Sequence, residues 1–311
     1  MLALVSTGHP QGHVALQQID VPNPDSHEAV VAVHAISLNR GELRRLKSKP
    51  AGWRPGWDVA GVVKQAARDG SGPPAGTRVV GLVNDKGWAQ YVAIPTKTLG
   101  TLPDTCGFAV AATLPVAGLT ALCALRCAGL LIGKDVLITG ASGGVGRFAI
   151  QLARLAGANV SALVGGTRSC DDLAELGAHR VLMPGQFESK DAYNIALDSV
   201  GGDTLVSALK SIRNDGKIVT FGNSSQKETT FNVSDFYGRT FGATLYAFEL
   251  FHELERSQSC TNDLQTLTHL VAEGKLKSSI ALEEPWENMG KALQALEERG
   301  VAGKAVLHIK Q

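Results

Sequence analysis

A chain of 311 residues, 44% hydrophobic and 19% charged, holds about two domains' worth of core-forming sequence, which excludes a disordered protein. Thirty Lys and Arg oppose 29 Asp and Glu for a net charge of +1, so no bulk field attracts nucleic acid or an anionic membrane. Five Cys, an odd number with no C-x-x-C among them, argue against a disulfide framework and for a reducing, cytosolic setting.

Residues 1–19 have neither a basic start nor a sustained apolar core, so no secretory leader is expected. The first hundred residues read as short strands. Residues 28–37 alternate in part behind the turn cluster Pro22-Asn23-Pro24-Asp25, and 59–64, 78–83 and 89–94 are further β-rich runs split by Gly- and Pro-bearing turns. This pattern predicts a barrel-like β domain. Residues 105–125 carry no charge and have the length of a membrane span. They are nevertheless rich in Ala, Thr and Gly, are broken by Pro115 and meet Arg126 directly, which predicts buried helices instead.

After about residue 113 the pattern changes. Strands are predicted at 136–139, 159–164, 180–183, 195–198, 217–221 and 240–245, with helices at 145–155 and near 171–176. Continuous apolar strands alternating with helices imply an α/β, doubly wound parallel sheet covered on both faces. The tail carries helices at 263–272 and 286–298, stopped by Gly274 and Gly300, and a closing strand at 305–309. It is too small to bury a core alone and is expected to pack back on the first domain. The expected division is 1–112 with 247–311, around 113–246.

The strongest motif is Val136-Leu137-Ile138-Thr139-Gly140-Ala141-Ser142-Gly143-Gly144-Val145-Gly146, set between an apolar strand and a helix. Small residues allow a tight turn and let the backbone around Ser142, Gly143, Gly144 and Val145 approach a pyrophosphate at a helix N-terminus. As Ala141-x-Gly143-x-x-Gly146 the letters fit the dinucleotide fingerprint; as Thr139-Gly140-x-x-x-Gly144-x-Gly146 they fit the short-chain dehydrogenase pattern, which also needs Tyr-x-x-x-Lys. The residues four after Tyr91, Tyr193, Tyr237 and Tyr246 are Pro95, Leu197, Phe241 and Leu250, so the second scheme fails. An NAD site wants an acid at the end of its second strand. Here that strand ends Val164-Gly165-Gly166-Thr167-Arg168-Ser169, with no acid before Asp171. Thr167, Arg168 and Ser169 can bind a 2′-phosphate, which favours NADPH; the alternative is a solvated surface Arg168.

The whole chain resembles the medium-chain dehydrogenase/reductase superfamily, and within it the zinc-independent quinone oxidoreductases and enoyl reductases. The resemblance rests on Ser37-Leu38-Asn39-Arg40-Gly41-Glu42-Leu43, Pro55-Gly56-Trp57-Asp58-Val59-Ala60-Gly61-Val62-Val63, Leu114-Pro115-Val116-Ala117-Gly118-Leu119-Thr120-Ala121-Leu122, Asp198-Ser199-Val200-Gly201-Gly202, Phe221-Gly222-Asn223-Ser224-Ser225 and Gly303-Lys304-Ala305-Val306-Leu307, in that order. It implies a GroES-like β-barrel catalytic domain plus a Rossmann NADP-binding domain, and a two-fold homodimer paired through the sixth strands. Zinc-dependent members place a Cys in the segment here held by Asn39-Arg40-Gly41 and a His where this chain has Trp57. There is no Cys between Met1 and Thr105, and Cys123 and Cys127 read as core residues, so no metal is expected.

Without a Lewis acid, a conjugated acceptor is the plausible hydride acceptor, because it spreads the arriving charge over its π-system. The expected reaction is reduction of a quinone or an activated C=C bond by NADPH. Asn39 is a candidate to bond nicotinamide or substrate, the alternative being turn stabilisation. The resemblance gives no proton donor, since no Tyr lies between Asn39 and Asp58; Tyr246 is a second candidate catalytic residue or else a packing or subunit-interface residue. Thr120 is expected near the nicotinamide or its phosphates, with helix back-bonding as the alternative. Phe221, Gly222 and Asn223 are expected to flank the nicotinamide at the end of a parallel strand. Two rivals stand beside this reading: a trans-acting enoyl reductase on a carrier-bound or CoA thioester, and a non-enzymatic NADPH-binding protein.

Overall fold

The computed structural model describes residues 1–166, 170, 172–186, 192–237 and 240–310. The chain divides into two units, Met1–Leu119 with Leu254–Gln311, and Thr120–Glu253.

In the first unit Leu2–Ser6 (β1) pairs antiparallel with Val14–Gln18 (β2). Glu28–Leu38 (β3) is the long alternating run, and Arg40–Leu46 (α1) follows it at once. Asp58–Gln65 (β4), Arg78–Leu82 (β5), Tyr91–Pro95 (β6) and Leu99–Thr101 (β7) come next. The uncharged stretch becomes Phe108–Ala112 (α2), a π-turn at Leu114–Gly118, and Leu119–Ala128 (α3), within which the chain enters the second unit. Ala111, Ala112, Leu114 and Leu119 are buried, and among the described residues no helix is long and apolar enough to cross a membrane.

The second unit holds Asp135–Thr139 (β8), Gly144–Leu155 (α4), Asn159–Leu163 (β9), Arg180–Leu182 (β10), Tyr193–Asp198 (β11), Gly202–Ser211 (α5), Ile212–Thr220 (β12), Val233–Tyr237 (α6), Thr244–Ala247 (β13) and the start of Leu250–Ser257 (α7). Its six strands are all parallel, in the order β10-β9-β8-β11-β12-β13. The central strands read as unbroken apolar runs because both sheet faces are covered: Val136, Leu137, Ile138, Ala196 and Leu197 are fully buried. Two expectations need correction. The helix predicted near 171–176 is a run of turns over residues 172–177, since only isolated i→i+4 bonds such as Leu176 N–H to the Asp172 carbonyl form there. The sixth strand is shifted from 240–245 to Thr244–Ala247, because the Gly242 turn at positive φ occupies the start of the predicted run.

The tail returns to the first unit as Cys260–Ala272 (α8), Ile280–Pro285 (β14), Met289–Glu297 (α9) and Lys304–His308 (β15). A 3-10 turn at Trp286–Asn288 replaces the start of the long predicted helix. The resulting sheet runs β14-β15-β3-β4-β5-β7, with β6 also paired to β3, so the C-terminal strand lies beside β3. Leu264 and Leu267 of α8 are fully buried, and both α8 residues approach glycines that leave room for them, Gly100 and Gly118.

Leu267→Ala is expected to destabilise the first unit by about 2–5 kcal/mol, the range for a buried leucine cut to a methyl. All four tryptophans, Trp53, Trp57, Trp88 and Trp286, lie in that unit, so a denaturant melt followed by tryptophan fluorescence reads it alone. A shift worth under about 1 kcal/mol would show that α8 is peripheral to this core.

Candidate functional site

Parallel strands end on one edge, and the loops after β8, β9, β11 and β12 collect there. The chain leaves β8 for β9 on one side and β11 for β12 on the other, so the strand order switches between the two neighbours β8 and β11. Such a switch opens a crevice at the carboxyl edge, where open α/β sheets take ligands.

The loop after β8 is built for close approach. Gly140 has φ +60°, and a Cβ there would fall 2.4 Å from Ser199 Oγ. At Gly146 a Cβ would fall 2.6 Å from Ala141 Cα, which is how the helix packs so near the strand. Gly143 precedes α4 and offers no side-chain cap. The first N–H groups of a helix lack intrahelical acceptors, so those of Gly144 and Val145, at the start of α4, are of the kind that suits an anion. Ser142, Gly143, Gly144 and Val145 are half-buried, while Gly165 and Gly166 after β9 are exposed with open space where a Cβ would stand. These residues fit a dinucleotide pyrophosphate. Thr167, Arg168 and Ser169 lie outside the described residues.

Asp198, at the end of β11, organises the facing loop. Its buried carboxylate accepts from Thr139 Oγ1 at 2.7 Å and from the Gly201 N–H at 3.0 Å, while the Ser199 N–H donates to Thr139 Oγ1 at 3.1 Å. Burial pushes its pKa up, and the Thr139 hydrogen bond opposes that most. Its role was not singled out from the sequence, although the acid at a strand end before Ser-Val-Gly-Gly was the available signal. After β12, Gly222 comes close enough to Ser199 that a Cβ would lie 3.0 Å from its carbonyl oxygen. Phe221 packs edge-on to Phe248 at 6.4 Å. Asn223 is exposed, and its side chain is engaged within its own loop, donating to the Lys227 carbonyl at 3.2 Å and accepting from Ser225 Oγ at 2.9 Å. Thr120 is buried at the start of α3. Tyr246, on β13, donates its hydroxyl to the buried Glu253, which also accepts from Cys127 Sγ at 3.6 Å.

The first unit holds a second polar constellation, missed as such in the sequence. Asn39 caps α1 and donates Nδ2 to Asp58 Oδ2 at 2.9 Å and to Glu42 Oε2 at 3.2 Å. Its Oδ1 accepts from Lys304 Nζ at 2.7 Å, and Lys304 also reaches the Leu38 carbonyl and Asp58. Both amide hydrogens of Asn39 are thus taken by carboxylates, and its geometry supports the turn-stabilising alternative over a donor to ligand. Glu42 accepts further from the N–H groups of Asn39 and Trp57, both at 2.7 Å, and Asp58 from that of Val116 at 2.9 Å. Among the described residues, one group of metal-capable side chains converges elsewhere, the largely exposed Asp25, His27 and Glu28.

Comparison with known proteins matches an alcohol dehydrogenase GroES-like domain over residues 25–124 and a zinc-binding dehydrogenase model over 144–257. A chloroplast envelope quinone oxidoreductase homolog of Arabidopsis thaliana is 32% identical over 296 residues, covering 86% of this chain and 85% of that one. The acryloyl-coenzyme A reductase of Metallosphaera sedula is 26% identical over 347 residues, covering 99% of each. Among solved structures, the Escherichia coli quinone oxidoreductase complexed with NADPH superposes with a TM-score of 0.88 at 24% identity, covering 99% of this chain and 100% of that one.

Two carboxylates and one ammonium in one dry cluster cannot all be charged without strain. Burial, then Asp58, pushes the Glu42 carboxyl up to about 8 against the pull of Lys304. Burial raises Asp58 too, with Lys304 its main opponent. Between the ordinary carboxylate range and about pH 8, the folded chain holds a proton that the unfolded chain has released, so stability falls as pH rises through that window. Glu42→Gln is expected to flatten that fall and to lower stability by about 1–3 kcal/mol at the acid end of the window, because Gln offers one acceptor oxygen to two backbone N–H groups, so that the two curves converge as pH rises. Thermal melts of both proteins across the window check it; an unchanged slope in the variant places the proton elsewhere.

Proposed function

The chain belongs to the medium-chain dehydrogenase/reductase superfamily as a quinone oxidoreductase-like member, and from that premise we propose that it reduces a quinone or an activated C=C bond with NADPH. The carrying observation is the carboxyl edge of the parallel sheet. There an uncapped helix start, a glycine loop and the open Gly165-Gly166 turn fit a dinucleotide, and no acid lies between the end of β9 and Asp171 in sequence. NADPH supplies the hydride. The chain's own residues bind and orient: the backbone from Ser142 to Val145 takes the pyrophosphate, Thr167, Arg168 and Ser169 take the 2′-phosphate, and Thr120, Phe221, Gly222 and Asn223 border the nicotinamide. Asn39 acts by holding Glu42 and Asp58 in place, and Tyr246 by anchoring β13 to Glu253.

Zinc has no part in this reading. Trp57 stands where zinc-dependent relatives carry a histidine, and its ring so crowds the Asn39–Gly41 segment that a Cβ on Gly41 would lie 2.5 Å from it. The electrophile must then carry its own charge-spreading π-system. A thioester substrate is the second reading, favoured by a basic aromatic face. Arg45 lies 5.6 Å from the Trp57 ring centre, and Lys49 lies 5.8 Å from that of Trp53.

A homodimer through β13 and a cytosolic location complete the proposal. Among the described residues β13 pairs only with β12, leaving an edge that carries Leu245 and is preceded by Phe241, which are 42% and 66% exposed. None of the five cysteines is in a disulfide.

Steady-state NADPH oxidation is expected with quinones or enals. Preference for an acyl-CoA thioester supports the second reading, and activity on none of the three leaves an NADPH-binding protein. NADPH is expected to bind at least about tenfold more tightly than NADH, a difference of about 1.4 kcal/mol, and Arg168→Ala is expected to remove most of it. Calorimetric titration of both cofactors reads this. Light scattering and elemental analysis on the same sample are expected to give two chains and no stoichiometric zinc. A one-chain mass, or a mass unmoved by Thr244→Lys, overturns the β13 interface.

A further inference from the structure

An arginine in the first turn of a helix faces the positive end of the helix dipole, and a buried guanidinium needs a partner. Arg147 meets both conditions. It follows Gly146 in the first turn of α4, and its side chain is 4% exposed. Nothing in the helix itself rewards a cation there, so its reason lies in what it touches.

Among the described residues it touches two loops. Nε donates to the Ser142 carbonyl of the glycine loop at 3.0 Å. Nη2 donates to Asp172 Oδ1 at 2.9 Å, and Nη1 donates to Asp172 Oδ2, a two-pronged pair. Asp172 follows β9 and, among the described residues, is the first carboxylate after that strand. Its side chain is 48% exposed, and the Arg147 hydrogen bonds hold its carboxyl below the usual carboxylate range.

The segment after the second strand of a dinucleotide fold meets the adenosine ribose. A free carboxylate there accepts from a 2′-hydroxyl and repels a 2′-phosphate. Asp172 is not free: its charge is cancelled at contact by a guanidinium fixed to the glycine loop. We infer that Arg147 is a positioning residue for cofactor choice, which by clamping Asp172 against the glycine loop withdraws that carboxylate from the ribose and makes the site acceptable to a 2′-phosphate. This rests on the NADPH reading above.

The test is calorimetric titration of the full-length chain with NADPH and with NADH, in the wild type and in Arg147→Met, Asp172→Asn and the double variant. Arg147→Met frees a half-exposed carboxylate, and the NADPH-to-NADH affinity ratio is expected to fall at least about tenfold, mainly through weaker NADPH. Asp172→Asn keeps or raises the ratio, and the double variant returns to within about threefold of the wild type. A merely structural pair gives a different pattern, with both single variants losing affinity for both cofactors alike. Should Arg147→Met not fold, Arg147→Lys keeps the charge but loses the fork and is expected to lower the ratio less. A wild type preferring NADPH together with an Arg147→Met or Arg147→Lys variant that keeps the full preference overturns the inference and leaves the NADPH reading standing. So does a fall in the ratio for Asp172→Asn. A wild type without preference overturns both.

Discussion

The ammonium of Lys304 is the joint on which the first unit hangs. It is sunk among Leu38, Asn39 and Asp58, three groups that end β3, cap α1 and begin β4, yet it arrives on the last strand of the chain. Two nearly inaccessible carboxylates, Glu42 and Asp58, would be untenable side by side without it. With it, one cation satisfies a turn, a helix start and a strand start together. The backbone N–H groups of Asn39, Trp57 and Val116 then have fixed acceptors, and the loops around α1 take one shape.

The second unit depends on a comparable device of opposite sign. Among the described residues Asp198 is buried without a contacting cation, and it is held by hydroxyl and backbone donors, which join the end of β8 to the loop after β11. Both centres work by forcing several chain segments to agree about one charged group. That is why each lies beside a loop whose exact course matters.

Much of this was legible in the sequence where one physical rule dominates. Unbroken apolar runs such as 136–139 place the parallel strands, and the spacing of Gly140, Gly143 and Gly146 marks the turn, because each demands a missing Cβ or an open backbone for its own reason. The polar cluster was not legible as a unit. Asn39, Glu42, Asp58 and Lys304 are scattered over the chain, and only the register of β15 on β3 brings Lys304 to them. Nothing in the sequence marks Arg147 within the predicted helix 145–155, since its partner Asp172 is set by how the chain turns after β9. The sixth strand was misplaced because β-propensity in Thr240-Phe241 ignores the turn that Gly242 makes.

The second unit is one uninterrupted stretch, whereas the first is assembled from two ends of the chain. During synthesis the parallel sheet can therefore complete itself as it leaves the ribosome, while β3 waits beside an empty place for a partner translated some 266 residues later. Until β15 docks, the edge of β3 and the carboxylates of Glu42 and Asp58 have no Lys304, and the nascent first unit exposes both a strand edge and an unbalanced acidic pair.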